Sequence, residues 1–349
     1  MKRALAALAV LAVLAIGIAS SASSGSSPRR AIAYVSGARP ALAQVWLAGP
    51  DGKGAERLGE GNRPSLSPNG EIVAASSDSQ SGHALTLFSS DGSQIASFFD
   101  ASLQTATAAS WSPDSRYLAV VLSSTDPASN ATSGLAVIDT ENKSSRVLVH
   151  GSIYGASFAP DGSRRIAYGW APTQALYAPV DLHLIAVSGT RDVPLTSDGR
   201  SLYPVWGRTA LAFVRERLRK RAAPAYQVWL MAADGSGAHP VTTIHPPPLE
   251  DGLVPIAFSA DGSRLLAEYQ GANTSRAWTI DLATRSALEL RQDGHTVSGA
   301  GISRDGTQLL VDRGGYLNPP DHGAVETVKF TDGSARTLIS HGSNPSWNL

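Results

Sequence analysis

Ala109-Ser110-Trp111-Ser112-Pro113-Asp114-Ser115 is the stretch whose reading decides the fold, because it is written several times along the chain. It echoes Pro64-Ser65-Leu66-Ser67-Pro68-Asn69-Gly70 and is echoed by Ala156-Ser157-Phe158-Ala159-Pro160-Asp161-Gly162. Ile256-Ala257-Phe258-Ser259-Ala260-Asp261-Gly262 and Gly301-Ile302-Ser303-Arg304-Asp305-Gly306 are later copies. Pro204-Val205-Trp206-Gly207 has lost its Asp-Gly, and Pro345-Ser346-Trp347 stands at the end of the sequence. Aligning Leu66, Trp111, Phe158, Trp206, Phe258, Ile302 and Trp347 gives steps of 45, 47, 48, 52, 44 and 45 residues. Self-similarity at such a period signals a stacked or radial repeat architecture.

Each copy leads into a short apolar run, as in Tyr117-Leu118-Ala119-Val120, Leu211-Ala212-Phe213-Val214 or Leu309-Leu310-Val311. The Pro-Asp-Gly between copy and run is a tight-turn signal: proline presets φ, aspartate accepts local amide bonds and glycine takes positive φ. The two runs therefore form a hairpin. A second hairpin follows, exemplified by Val228 to Gly235 and then Pro240-Val241-Thr242, with counterparts starting near Val45, Leu85, Leu135, Leu182, Trp278 and Val325. Four strands with two tight turns per repeat describe a propeller blade. Ala31 to Val35 reads as a second strand without a first, and Asn344 to Leu349 as a first strand without a second. The expectation is an all-β chain: a single seven-bladed β-propeller over residues 31–349, with four-stranded antiparallel blades, closed by pairing of the N- and C-terminal strands.

Composition agrees. Glycine (33) and proline (21) are plentiful, and charged residues make up only 17%, which suits short strands joined by turns. The 29 basic and 29 acidic residues balance, so no global field draws the protein to nucleic acid or an anionic membrane. The absence of cysteine excludes disulfides, thiolate chemistry and cysteine-bound zinc.

The repeat resembles that of the WD-repeat-like TolB propeller family, which also forms the propeller of prolyl-oligopeptidase-type enzymes. The resemblance covers nearly all of residues 31–349. It implies the fold more than the function, since such repeats serve in translocation accessories, peptidase propellers, sugar-polymer lyases and plain binding proteins. TolB itself carries an α/β domain before its propeller, whereas only eight residues separate signal and repeat here. The expectation is therefore membership of the superfamily and not identity with TolB.

Strand parity directs the search for a site. The turns joining strands one and two, and three and four, must share one face of the disc; the connections from strand two to three and between blades share the other. The second set varies most, as binding loops do. On it stand Arg63, Tyr154, Tyr203, Glu250 and Asp251, as ligand contacts or as solvated loop residues. His150, His245, His295 and His341 each follow a fourth strand, as a ring around the channel mouth or as polar strand ends. No metal or cofactor is assigned to them, because ligands from four blades would stand far apart. Arg215-Glu216-Arg217-Leu218-Arg219-Lys220-Arg221 opens the longest insertion on this face, Arg215 to Ala225. Arg215, Arg217, Arg219, Lys220 and Arg221 read either as a grip for an acidic partner or as a solvated loop. Trp111, Trp206 and Trp347, at one repeat position, read as packing between sheets rather than as a sugar platform.

No Gly-x-Ser-x-Gly elbow, His-Glu-x-x-His or phosphate-cradling loop occurs. The sequence favours a monomeric, non-catalytic propeller that contacts an envelope or extracellular protein or glycan, with no nucleic-acid partner. A lyase or hydrolase with residues in the channel mouth is the alternative. The N-terminus has the pattern of an export signal: Lys2 and Arg3, an apolar run from Ala4 to Ile18, then Ser20-Ser21-Ala22. Residues 23–30 read as a flexible tether. An uncleaved anchor is the competing reading and the only one that would bring in a membrane. N-terminal sequencing of the exported protein is expected to give Ser23 as the first residue; Met1 would establish the anchor.

Overall fold

The computed structural model describes residues 31–37, 43–77, 82–126, 131–175, 178–219, 222–242, 244, 246, 250–271, 275–290, 297–314 and 323–348. The proposed signal and tether lie outside these residues, as do His245, His295, Lys220 and Arg221. Among the described residues there is no helix. The chain has the four-stranded antiparallel sheets of a β-propeller.

The strands follow the repeat. The first group is β1 (Ile32–Ser36), β2 (Gln44–Ala48) and β3 (Glu56–Glu60). The second is β4 (Asn62–Leu66), β5 (Ile72–Ser76), β6 (His83–Ser89) and β7 (Gln94–Asp100). Next come β8 (Gln104–Trp111), β9 (Tyr117–Ser124), β10 (Gly134–Asp139) and β11 (Ser144–His150). They are followed by β12 (Ser152–Phe158), β13 (Arg165–Ala171), β14 (Asp181–Ala186) and β15 (Val193–Pro194). The fifth group is β16 (Ser201–Trp206), β17 (Leu211–Arg219), β18 (Ala222–Met231) and β19 (His239–Pro240). The sixth is β20 (Gly252–Phe258), β21 (Arg264–Gln270), β22 (Ser275–Asp281) and β23 (Ser286–Glu289). Last are β24 (Val297–Ile302), β25 (Gln308–Arg313), β26 (Ala324–Lys329) and β27 (Ala335–Ile339), with β28 (Ser343–Trp347) beyond them. Strand β28 pairs antiparallel with β1, Ile32 opposite Trp347. The fifth and sixth groups are joined through one parallel bridge, Tyr226 to Gly252.

The apolar runs become second strands buried on both sides. Val73, Ala74 and Ala75 are fully buried, as are Ile166, Ala167 and Tyr168, and Leu309, Leu310 and Val311. A strand covered by a neighbouring sheet on each face reads as continuous apolar sequence rather than as an alternation. The core clusters accordingly span pairs of sheets: Leu87 and Phe98 meet Leu118 and Leu122, and Val228 meets Leu265 and Tyr269. Ile32 and Tyr34 meet Leu310 and Val325. Trp111, Trp206 and Trp347 each pack against such a core.

The repeated serine braces the first turn. The buried Ser112 hydroxyl donates to Asp114 Oδ1 at 2.5 Å and accepts the Tyr117 amide at 2.8 Å. Ser67 holds Asn69 and the Ile72 amide in the same way, Ser259 holds Asp261 and the Arg264 amide, and Ser303 holds Asp305 and the Gln308 amide. These bonds hold the Asp261 carboxyl at about 2, the Ser259 hydroxyl being the largest influence. Gly262 completes its turn at φ 74, a conformation that Ser115 adopts at φ 62 despite its Cβ.

Replacing Ser112 with alanine leaves the Tyr117 amide and the Asp114 carboxylate without this partner. We expect a loss of about 1–3 kcal/mol in urea unfolding. The exposed Ser163→Ala is expected to lie within about 0.5 kcal/mol of wild type.

Candidate functional site

First strands carry a recurring irregularity. The register of β4 against β5 shifts between Asn62 and Ser65, that of β16 against β17 between Leu202 and Val205, and that of β24 against β25 between Gly299 and Gly301. At the bulge the backbone enters the left-handed region: φ is 46 at Arg63, 79 at Gly155, 54 at Tyr203 and 48 at Asn344. These four occupy one repeat position, three residues before Leu66, Phe158, Trp206 and Trp347. Arg63, Tyr203 and Asn344 each precede a proline. A non-glycine residue held there costs on the order of 1–3 kcal/mol, and such strain concentrates at binding sites.

Around Arg63 and Asn344 lies a cavity of about 410 Å³. Its walls are Arg63, Pro64 and Ser65 of β4, Ala108 of β8, Ser298, Gly299 and Ala300 of β24, and Asn344, Pro345 and Ser346 of β28, together with two carboxylates, Glu268 of β21 and Asp312 of β25. Asp312 is 7% exposed and accepts the Asn344 amide at 2.7 Å. The left-handed turn at Asn344 thus aims a backbone donor at an acid. Burial raises the proton affinity of Glu268, against hydrogen bonds from Ser275, the Gly299 amide and Gln270 that favour the carboxylate; Asp312 adds like-charge repulsion. Ser298 and Ser275 share a hydroxyl bond of 2.9 Å beside them.

Sequence reasoning missed both acids, although a signal existed. Leu309-Leu310-Val311 and Leu265-Leu266-Ala267 are equivalent runs, paired opposite the equivalent residues Ile302 and Phe258. The next residue is Asp312 in one and Glu268 in the other. The other second strands have Val35, Ser76, Val121, Gly169 and Val214 at this position, opposite their own repeat.

Tyr154, Tyr203 and Asp251 come together elsewhere on the same strand ends. Tyr154 and Tyr203 meet edge to face at 6.2 Å, and Tyr203 meets Tyr226 the same way at 6.2 Å. Burial raises the proton affinity of all three hydroxyls, and the Glu216 charge adds to it. Asp251 adds to it at Tyr203 and Tyr226. Burial also raises Glu216, with Arg200 opposing. The Asp251 carbonyl accepts the Tyr226 amide at 2.5 Å, so this residue ties two sheets together through its backbone. Glu250 accepts the Tyr269 hydroxyl.

Arg215, Arg217 and Arg219 stand in a strand and not in a loop. Residues from Arg215 continue β17, and β18 begins at Ala222, with Arg217 opposite Ala225 and Arg219 opposite Ala222. Two of its cations are held by neighbouring groups. Arg215 pairs with Asp198 at 2.6 Å and lies 4.3 Å over the Trp229 ring. Arg219 donates to the carbonyls of Pro246 at 3.2 Å and Glu250 at 3.0 Å. Composition suggested a solvated insertion; backbone pairing and these planar contacts make it a hairpin. His150 ends β11 and His341 follows β27, both edge strands, whereas the cavity is lined by first and second strands. Among the described residues no three histidines or carboxylates stand together in a metal-ligating group.

Comparison with known proteins bears on the fold alone. No protein-family profile matches the chain, and no curated protein does. Among solved structures, TolB from Acinetobacter baumannii superposes with a TM-score of 0.54 at 14% identity, over 91% of this chain and 66% of that one. A Mycobacterium tuberculosis puromycin-hydrolysing peptidase gives 0.61 at 16%, over 90% of this chain and 54% of that one. Oligogalacturonate lyase from Vibrio parahaemolyticus gives 0.60 at 11%, over 88% and 93%. The chain thus spans about two thirds of that TolB and about half of that peptidase. The fold is that of the TolB-like β-propellers, and the chain is not TolB itself.

Burial of Glu268 makes stability depend on pH. The unfolded chain releases this proton near the ordinary value of about 4.3, while the native state holds it to higher pH, so stability falls as pH rises through that window. Glu268→Gln is expected to unfold at a higher temperature than wild type near neutral pH, with the two converging below pH of about 4. Calorimetry across this range checks it; parallel curves would show that burial carries no cost here.

Proposed function

We propose that the protein is an exported, non-catalytic binding propeller whose partner, an envelope protein or glycan, engages the crossover face over the polar cavity. In this reading the sheets form a seven-bladed ring, closed where β28 joins β1, and the cavity is the mouth of its central channel. The cavity of about 410 Å³ carries the reading: it gathers an arginine, two acids, serine hydroxyls and an asparagine from strands far apart in sequence. Convergent polar groups in a concave site are the default sign of ligand binding. The strain at Arg63 and Asn344 supports it, because both line that cavity. Support for export is the charged, apolar and small-residue order of residues 2–22.

The structural relatives include a peptidase and lyases as well as TolB, so the fold does not choose between binding and catalysis. One observation favours a second reading, a carbohydrate-active enzyme: the raised proton affinity of Glu268 beside Asp312 suits an acid–base pair. Release of unsaturated product from polyuronate oligosaccharides would establish it.

The binding reading is tested by filling the cavity. Ser298→Trp is expected to abolish capture of the partner from an envelope fraction, as read by mass spectrometry against wild type. Lys53→Trp, in an exposed turn outside the cavity, should leave capture intact. Equal capture by all three proteins would remove the cavity from the function.

A further inference from the structure

The charge expected of the partner is the reverse of what the basic run suggests. Arg215 and Arg219 serve as internal struts, bound to Asp198 and to backbone carbonyls. The cavity instead places two acids at one repeat position in adjacent sheets. Glu268 accepts from Ser275, the Gly299 amide and Gln270, and Asp312 accepts the Asn344 amide among its contacts. Arg63 lines the same cavity from β4 and is exposed, whereas Glu268 on β21 is half-buried and Asp312 on β25 is buried. The wall formed by β21 and β25 carries two carboxylates, and Ser65, Ser298 and Ser346 line the same cavity.

Such a wall complements a donor-rich cation. A divalent metal ion would take six or more oxygen ligands, and no metal-ligating group of three stands among the described residues. A quaternary ammonium has no N–H to give and is recognised by aromatic faces, but among the described residues no aromatic ring lines the cavity. A guanidinium seeks a carboxylate with both oxygens open, and Glu268 already accepts bonds from Ser275 and the Gly299 amide. A primary ammonium is compact, carries three donors and matches isolated oxygens approached from different directions.

We propose that the cavity takes a primary ammonium group of the ligand, with the Glu268 and Asp312 carboxylates as counter-charges and neighbouring serine hydroxyls as further acceptors. This rests on the reading of the cavity as the binding site. A lysine side chain and an amino sugar present the same group, and the volume of about 410 Å³ admits either with its first carbons.

Saturation-transfer NMR with n-propylammonium, using n-propanol as its neutral counterpart, tests the inference on the whole protein. Transfer to propylammonium and none to propanol is the expected result. Glu268→Gln, with an unchanged circular dichroism spectrum, should bind about tenfold more weakly, the effect of losing one charge-assisted bond. Asp312→Asn, which can still accept the Asn344 amide, should weaken binding likewise; if it fails to fold, Glu268→Gln decides. Separate arms with Nα-acetyl-lysine amide and with glucosamine, each against its side-chain N-acetylated form, distinguish the two sources. Equal transfer to propanol, undiminished binding by Glu268→Gln, or no transfer from any ammonium overturns the inference. Loss of partner capture by Ser298→Trp together with no ammonium binding would sink this inference alone, while ammonium binding with capture intact would sink only the partner reading.

Discussion

A buried amide must find an acceptor, and in this protein the acceptor comes from the neighbouring sheet. The Leu66 amide donates to Ser346 Oγ at 3.0 Å, the Phe158 amide to Ser110 Oγ at 3.0 Å and the Trp206 amide to Ser157 Oγ at 2.9 Å. Trp111 uses its indole instead, donating to Ser65 Oγ at 3.0 Å. Each serine stands one residue before the large apolar residue of its own repeat, so a first strand is stitched to the next through side chains. Apolar packing between sheets tolerates sliding better than a hydrogen bond of fixed length does. These bonds therefore set the relative height of neighbouring sheets, and everything placed on the first strands inherits that height. Leu66 and Ser346, 280 residues apart, show the reach of the constraint.

The bulges follow from the same arrangement. A first strand must satisfy the second strand of its own sheet and the serine of its neighbour. Where its register shifts, one residue is released from the ladder and re-aimed. Arg63 and Asn344 are released into the cavity and Tyr203 into the tyrosine cluster. Where closeness matters more than a side chain, glycine stands instead: a Cβ on Gly299, three residues before Ile302, would lie 2.8 Å from Leu266 Cδ2. Site residues and packing residues are thus alternate uses of one structural position.

This division explains what could be read from the sequence. Turns announce themselves, because Ser112, Pro113 and Asp114 each perform a local task that few other residues perform; four-stranded sheets follow from their spacing. Tyr154 and Tyr203 were singled out from strand parity as crossover residues, and the structure places them within the first strands β12 and β16. Glu268 and Asp312 were not, because each sits at the end of an apolar run where the eye is tracing core. Their significance appears only when Leu265 is set beside Leu309 and the residues three places later are compared. For the basic run composition reports charge alone, while Asp198, Trp229 and the Glu250 carbonyl, which engage Arg215 and Arg219, lie beyond what composition records.

A formal charge of zero conceals the same separation. Arginine can be used as a strut because its planar head satisfies several fixed acceptors and its stem packs on aromatic rings. A carboxylate has fewer ways to be absorbed into a dry wall, since each lone pair needs a donor and its charge resists burial. When Arg215 and Arg219 go to the hairpin and Glu268 and Asp312 to the cavity, charge is distributed by placement without any change in composition. Glu268 illustrates the point. Three donors surround it, yet burial still raises its proton affinity, so those donors compensate the loss of water only in part. The remainder of that cost is what a cation entering the cavity would relieve, and it makes the site a property of placement rather than of residue count.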